Sequence, residues 1–396
     1  MQKNYYSEHE RHETLKAFIR EKIQQAGGDI PFVDYMQYAL YTPELGYYMA
    51  HPHIFGGNEQ KDFITAPEIS PLFGQTLAQV CSAILEKISE GVILEFGAGT
   101  GKLAEDVLNV LDKQGKLPRA YWIVDPSPHL REIQRQRLDN HPAREKIELK
   151  WFDKLPDGPF AGIVIANEVL DALPAQRFQI TDTHCFEAFV TYHEGGFQEE
   201  YQMSHDPAIE QLAQHIRAEN SLEVLKVRPY QSERLPGLKT FFKTLSAALK
   251  QGVVLLMDYG FPRHEFYHPD RYMGTLMCHQ QQRAHIDPYR EVGLQDITTH
   301  VDFTDVAEQA SDTGFDIAGY TQQAAFLMNA GLLSLCTHEN IAVGANNIRP
   351  FEAKTALHLL TSPSEMGELF KVMALTKAID LFPFPGFEHF DKRHTL

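Results

Sequence analysis

The chain is poor in cysteine, in tryptophan and in positive charge. Its four cysteines, Cys81, Cys185, Cys278 and Cys336, lie far apart in 396 residues. They offer neither a close-spaced zinc pair nor a disulfide framework. The expected setting is therefore reducing and cytoplasmic. Lysine and arginine number 36 against 53 acidic residues, a formal net charge of −17. That argues against a general nucleic-acid binder, whose affinity rests on neutralising phosphates. No run approaches eighteen apolar residues, so no membrane span is expected. The first residues, MQKNYYSEHERHE, lack an apolar secretory core. There is no repeat and no low-complexity tract. The length suits two domains, or one domain with insertions.

What the chain does have is a glycine-rich stretch, VILEFGAGTGKLA, at 92–104. An apolar run reaches Glu95, then Gly97, Gly99 and Gly101 precede a helical start at Lys102. This reads as strand, tight turn and helix. Glycine admits positive φ and brings backbone close to a ligand. A helix start presents free N–H groups to a phosphate, or to the carboxylate of an amino-acid-like ligand. A purely structural turn is the alternative. Glu95 favours S-adenosylmethionine over a dinucleotide, because a carboxylate repels a nearby pyrophosphate. It suits the amine or hydroxyl donors of a zwitterion. The next strand, Ala120 to Val124, ends in Asp125, a carboxylate suited to a ribose diol. NAD asks for the same group, and Asp125 also reads as a cap for a helix near Ser127.

Leu15, Phe18, Ile19 and Ile23 mark an amphipathic helix over 10–28. Tyr35, Tyr38, Tyr41, Tyr47 and Tyr48 follow, mainly as packing groups. The stretch 55–74 is turn-rich, and its Thr65, Glu68 and Ser70 face a ligand or start a helix. A helix is expected over 72–85. Helices at 103–111 and 129–138 lead to a short strand at 147–149. Beyond it, Trp151, Phe152 and Asp153 could hold an adenine ring or form an ordinary turn. The strand FAGIVIA, 160–166, runs into NEVLDALP. Read as one helical turn, that stretch puts Glu168 and Asp171 on a shared face, as a functional pair or as caps. A hairpin excursion is expected over 177–203, a helix at 207–219, another at 238–249 and a fifth strand at 253–257, before Asp258 and Tyr259. Residues 261–304 read as an irregular, lid-like segment. Its histidines and carboxylates fit no closed zinc pattern. A helix at 304–315, a late strand at 315–319, a helix through Gln323 and Phe326, and a helix at 362–375 complete the reading. Successive crossovers of this kind imply an α/β, doubly wound parallel sheet.

Several stretches together resemble one family, the MidA-like or complex I assembly factor class of SAM-dependent methyltransferases. They are YMQYALYTPELGYY, KDFITAPEISPLFG, LEFGAGTGKLAEDVL, NEVLDALP, LMDYGFP, GTLMC and QDITTHVDFT, with TQQAAFLMNAG extending the similarity to residue 331. The resemblance implies a class I, Rossmann-like methyltransferase fold. It divides the chain into an N-terminal helical and cofactor-loop segment (1–90), a first core half (91–170), an inserted hairpin segment (171–235), a core continuation (236–260), a substrate-facing insertion (261–304) and a C-terminal completion (305–396). By position it assigns Glu95, Gly97, Gly99, Gly101 and Asp125 to S-adenosylmethionine, with Thr65, Pro67 and Glu68 on a bordering loop. Asp153 joins them at its strand end. Asn167, Glu168 and Asp171 match the motif after strand four, and Tyr259 borders the acceptor channel. Lys61 and Asp125 depart from the family pattern, which has glycine and glutamate there. The family's mitochondrial member is a protein arginine methyltransferase. The expected activity is therefore methylation of a protein arginine, with a respiratory complex I subunit as substrate and Glu168 binding the guanidinium. An assembly chaperone that keeps the fold, and a small-molecule methyltransferase, are the alternatives. A homodimer is left open.

Overall fold

The computed structural model describes residues 7–50, 65–336 and 350–396. The chain forms two units. The larger is Ile64–Leu170, Leu238–Phe261 and Phe303–Leu396; the smaller is Met1–Phe63, Asp171–Gly237 and Pro262–Asp302.

In the larger unit the sheet is built from strands β1 (Val92–Phe96), β2 (Ala120–Val124), β3 (Glu148–Phe152), β4 (Phe160–Asn167), β5 (Leu249–Phe261), β6 (Asp316–Gln322) and β7 (Phe370–Lys377), with near-continuous apolar runs in β1, β2, β4 and β5. Their order is β3-β2-β1-β4-β5-β7-β6. The first five strands pair in parallel, and β7 runs antiparallel to both β5 and β6. Strand order reverses between β1 and β4, where ligands bind in open α/β sheets. Ile93, Tyr121, Ile163 and Leu255 share a core with Leu77 of helix α1 (Pro71–Leu85) and Val107 of helix α2 (Lys102–Lys113). The alternating residues Leu94, Val164 and Leu256 are buried as well. Both faces of the sheet are thus covered, as parallel strands require. Strands β1 and β4 approach closely: a Cβ on Gly162 would lie 1.9 Å from the Val92 carbonyl oxygen. Helix α3 (Pro128–Leu138) follows β2, and helices α4 (Leu238–Ala248) and α5 (Phe303–Asp312) flank β5 in sequence.

One expected helix is corrected. Residues 362–375 hold a four-residue helix, Met366–Leu369, and then strand β7. Every residue from Phe370 to Thr376 is buried, a two-sided burial that single-sequence periodicity does not separate from a buried helix.

The smaller unit begins with helix Glu8–Ala26, capped by Ser7 and Glu10 in a reciprocal capping box. Leu15, Ile19 and Ile23 are its buried stripe. Strands Asp29–Pro31, Cys185–His193, Gln176–Ile180 and Tyr230–Arg234 lie side by side in that order, and Gly196–Met203 pairs with Cys185–His193. The hairpin turn is Glu194–Gly195, with φ of 51° and 85°, the doubly positive geometry that matches strand twist. The segment expected to be irregular, 261–304, instead folds a second antiparallel sheet from Met277–Gln280, Arg283–His285 and Asp296–Thr298. Residues of the expected 1–90 segment divide between the units at 63/64.

Candidate functional site

The carboxyl ends of β1 and β2 carry a cluster of buried polar residues, among them Glu95, Thr100 and Asp125. Beyond β1, Gly97, Gly99 and Gly101 have φ of 58°, 53° and 81°, which strains any side chain. The turn is pinned to β2 by Gly97 N–H donating to Val124 O at 2.9 Å. Glu95 is buried on β1 and accepts from the Tyr121 hydroxyl at 2.6 Å. Burial pushes its carboxyl up to about 7; the Tyr121 hydrogen bond opposes this, and nearby Asp125 adds to it. Asp125, also buried, accepts from Ser127 N–H at 2.9 Å and from Gln134 Nε2 at 2.8 Å. Burial raises it to about 6 against those two hydrogen bonds. The cap of helix α3 is Ser127, whose Oγ accepts from Leu130 N–H, so the alternative of Asp125 as helix cap falls away.

The bordering loop is described from Thr65 on; residues 55–64, with Lys61, lie outside the described residues. Thr65 starts the short helix Ala66–Ile69 without a side-chain cap, and Pro67 is buried in its first turn. Ser70 is a helix starter, its Oγ accepting from Leu72 N–H at 3.2 Å. Glu68 reaches the glycine turn, accepting from Thr100 Oγ1 at 2.5 Å. Asp153 is exposed beyond β3, while Trp151 lies beneath the Arg135 guanidinium, 5.3 Å from the ring centroid.

Beyond β4 the expected helical turn is absent. Glu168 takes φ +54°, a left-handed conformation that breaks a helix and costs a non-glycine residue about 1 kcal/mol or more. Its N–H continues the sheet by donating to Met257 O at 2.8 Å. Asn167 Nδ2 donates to Glu168 Oε1 at 3.1 Å. The loop is held by Asp258, which is fully buried on β5. Its Oδ2 accepts from Leu170 N–H at 2.9 Å and its Oδ1 from Tyr259 N–H at 3.0 Å. Tyr259 is half-buried, its ring edge against Phe370. Asp171 does not share a helical face with Glu168. It begins the next segment of the smaller unit, where it is buried and its carbonyl accepts from Thr299 N–H at 3.1 Å.

Four polar residues that sequence reasoning did not assign complete this arrangement: Tyr121, Gln134, Thr100 and Asp258. Two of them left a signal: Tyr121, a hydroxyl in an otherwise apolar strand that needs a buried partner, and Asp258, a carboxylate that ends the apolar run 253–257.

The comparisons fit this geometry. The family model described as "Putative S-adenosyl-L-methionine-dependent methyltransferase" matches residues 72–321. The chain belongs to this family. A Burkholderia thailandensis protein, described as a "likely methyl transferase" bound to S-adenosyl-homocysteine, is 39% identical, with a TM-score of 0.88 over 98% of this chain and 97% of that one. The protein arginine methyltransferase NDUFAF7 homolog, mitochondrial, of Drosophila melanogaster is 29% identical over 95% of this chain and 89% of its own length. The human mitochondrial protein arginine methyltransferase NDUFAF7 is 27% identical over 88% and 80%. The protein is a SAM-dependent methyltransferase of Rossmann-like fold. The expected cytoplasmic setting is corrected, because these curated relatives are named as mitochondrial proteins. No described helix is long and apolar enough to cross a membrane.

The donor set suits the cofactor. Two buried carboxylates already pushed upward gain most from a ligand that brings an amine, hydroxyls and a sulfonium. The glycine turn leaves room for backbone to approach it.

Proposed function

We propose that this methyltransferase acts on a protein arginine nitrogen and that Glu168, braced by Asn167, binds the acceptor guanidinium. A respiratory complex I subunit is the proposed acceptor. The observation that carries the reading is the left-handed backbone of Glu168 at the carboxyl end of β4. Strain of this kind persists where surrounding structure over-determines it, and it clusters at functional sites. The arginine methyltransferases among the relatives support the choice of acceptor.

In this reading Glu95, Asp125 and the glycine turn hold S-adenosylmethionine, with Thr65, Pro67 and Glu68 bordering it and Asp153 near its adenine. When bound, the cofactor supplies a methyl group already activated on sulfur. The chain's task is aim and charge. Arginine is planar and keeps its proton at neutral pH. A carboxylate binds it through two N–H groups and draws its positive charge away from the remaining nitrogen, which then attacks. Asn167 fixes one Glu168 oxygen, leaving the carboxylate oriented before the acceptor arrives. Tyr259 shapes the acceptor's approach at the end of β5. As the nitrogen's new N–C bond would form, the methyl group's bond to sulfur would break with its electron pair staying on sulfur, and the nitrogen would give its proton to solvent water. Asp171 has no part in this proposal.

The test is mass spectrometry of complex I subunits incubated with isotope-labelled S-adenosylmethionine and wild-type or Glu168→Gln protein. The expected outcome is label on arginine, reduced on the order of 100-fold by the substitution, with cofactor affinity within about threefold, since Glu168 aims at acceptor rather than cofactor. Label on lysine or on a small molecule, or undiminished arginine methylation by E168Q, would sink the assignment.

A further inference from the structure

We propose that Gln134 is a positioning residue for the cofactor, its single amide group tying the glycine turn to the Asp125 carboxylate. Gln134 is fully buried on α3. Its Nε2 donates to Gly99 O at 3.0 Å and to Asp125 Oδ2 at 2.8 Å. Both hydrogens of the amide are therefore committed, one to each half of the site. Its Oε1 meets no donor among the described residues, so what the side chain contributes lies at its nitrogen.

Helix α3 supports that bridge on either side. A Cβ on Gly101 would lie 3.4 Å from Gln134 Cα, so the turn rests on the helix backbone at this residue. One helical turn on, Arg137 Nε donates to Thr100 O at 2.9 Å. The turn and the strand-end carboxylate come from different βα units, and their spacing would otherwise depend on two separate loops. A ligand that engages both, an amino acid joined to a nucleoside, benefits from having that spacing fixed before it binds. A free nucleoside engages only the Asp125 side and benefits less. The bridge also keeps a donor on Asp125 that favours its ionised, diol-accepting form.

The inference rests on Asp125 as the ribose acceptor, and the experiment separates the two. Calorimetric titration of the full chain with S-adenosylhomocysteine and with adenosine is run for wild type, Gln134→Met, Asp125→Ala and the double variant, from pH 5 to 8. Methionine keeps the volume and removes both donors. We expect Q134M to weaken S-adenosylhomocysteine about 10- to 100-fold, adenosine markedly less, and to move the acid limb of binding to higher pH. In the D125A background Q134M then adds less than about twofold, because the effect runs through the missing carboxylate. Additive losses, or an equal loss for both ligands with an unmoved acid limb, overturn the proposal. Unchanged affinity in D125A overturns the ribose role and the inference with it; a loss in D125A with none in Q134M overturns the inference alone. If Q134M does not fold, Gln134→Glu serves. It sets a second carboxylate against Asp125, so its binding optimum moves to lower pH, and an optimum where wild type has it overturns the proposal.

Discussion

At the scale of the residue, two glutamates are held in states that cost the fold something. Glu168 sits at φ +54°, where glycine carries no steric cost. Glu168→Gly is therefore expected to stabilise the protein by ~1 kcal/mol while methylation is lost. Thermal melts and a labelled-methyl assay check this together, and a lower melting temperature contradicts the strain. Glu95 is buried and raised from 4.5 to about 7. A folded pKa above the unfolded one means that the native state holds the proton longer. The stability from this group is full below about 4.5 and is lost as pH rises through about 7. Glu95→Gln removes that slope. Without ligand, its stability relative to wild type should rise between pH 5 and 8, by at most ~3 kcal/mol at about 1.4 kcal/mol per pKa unit. Denaturant melts across that range would show it, and a flat difference would contradict it. The positions of Glu95 and Asp125 were legible because each ends an apolar run. Their partners were not: Tyr121 and Gln134 meet them through strand pairing and helix docking, which spacing along the chain does not encode.

At the scale of the element, the loop after β4 shows where sequence reading stopped. NEVLDALP has residues that tolerate a helical turn, but its first N–H groups are claimed from elsewhere: Glu168 by the Met257 carbonyl and Leu170 by the Asp258 carboxylate. A tertiary hydrogen bond outweighed a local preference. Strands β1, β2 and β4 were readable because two-sided burial writes itself as an unbroken apolar run. The same burial concealed β7, whose KVMALTK contains good helix formers. Asp258→Ala should leave Leu170 and Tyr259 N–H groups without their acceptor and cost on the order of 2 kcal/mol. Methylation should fall further than cofactor affinity, because the loop bearing Glu168 loses its anchor. Calorimetry beside steady-state kinetics resolves the two, and equal losses would deny Asp258 its hold on that loop.

At the scale of the molecule, net charge and chain order matter. If the acceptor is a basic, arginine-bearing protein as proposed above, a charge of −17 attracts it at long range. Raising salt from ~0.01 to ~1 M, which shortens the screening length from ~30 to ~3 Å, should lower kcat/KM for a protein acceptor at least about tenfold. It should leave kcat within about twofold, since screening acts on encounter; an unmoved kcat/KM removes charge as a steering force. Chain order bears on synthesis. Strand β7 is the last of the sheet to be made, yet it lies between β5 and β6 and pairs antiparallel with both. Until residue 377 leaves the ribosome, β5 presents an open hydrogen-bonding edge flanked by buried-type side chains, the feature that invites wrong pairing. A chain stopped ahead of β7 is therefore expected to aggregate rather than fold to a smaller enzyme, which the soluble fraction of that truncated protein beside the full chain would show.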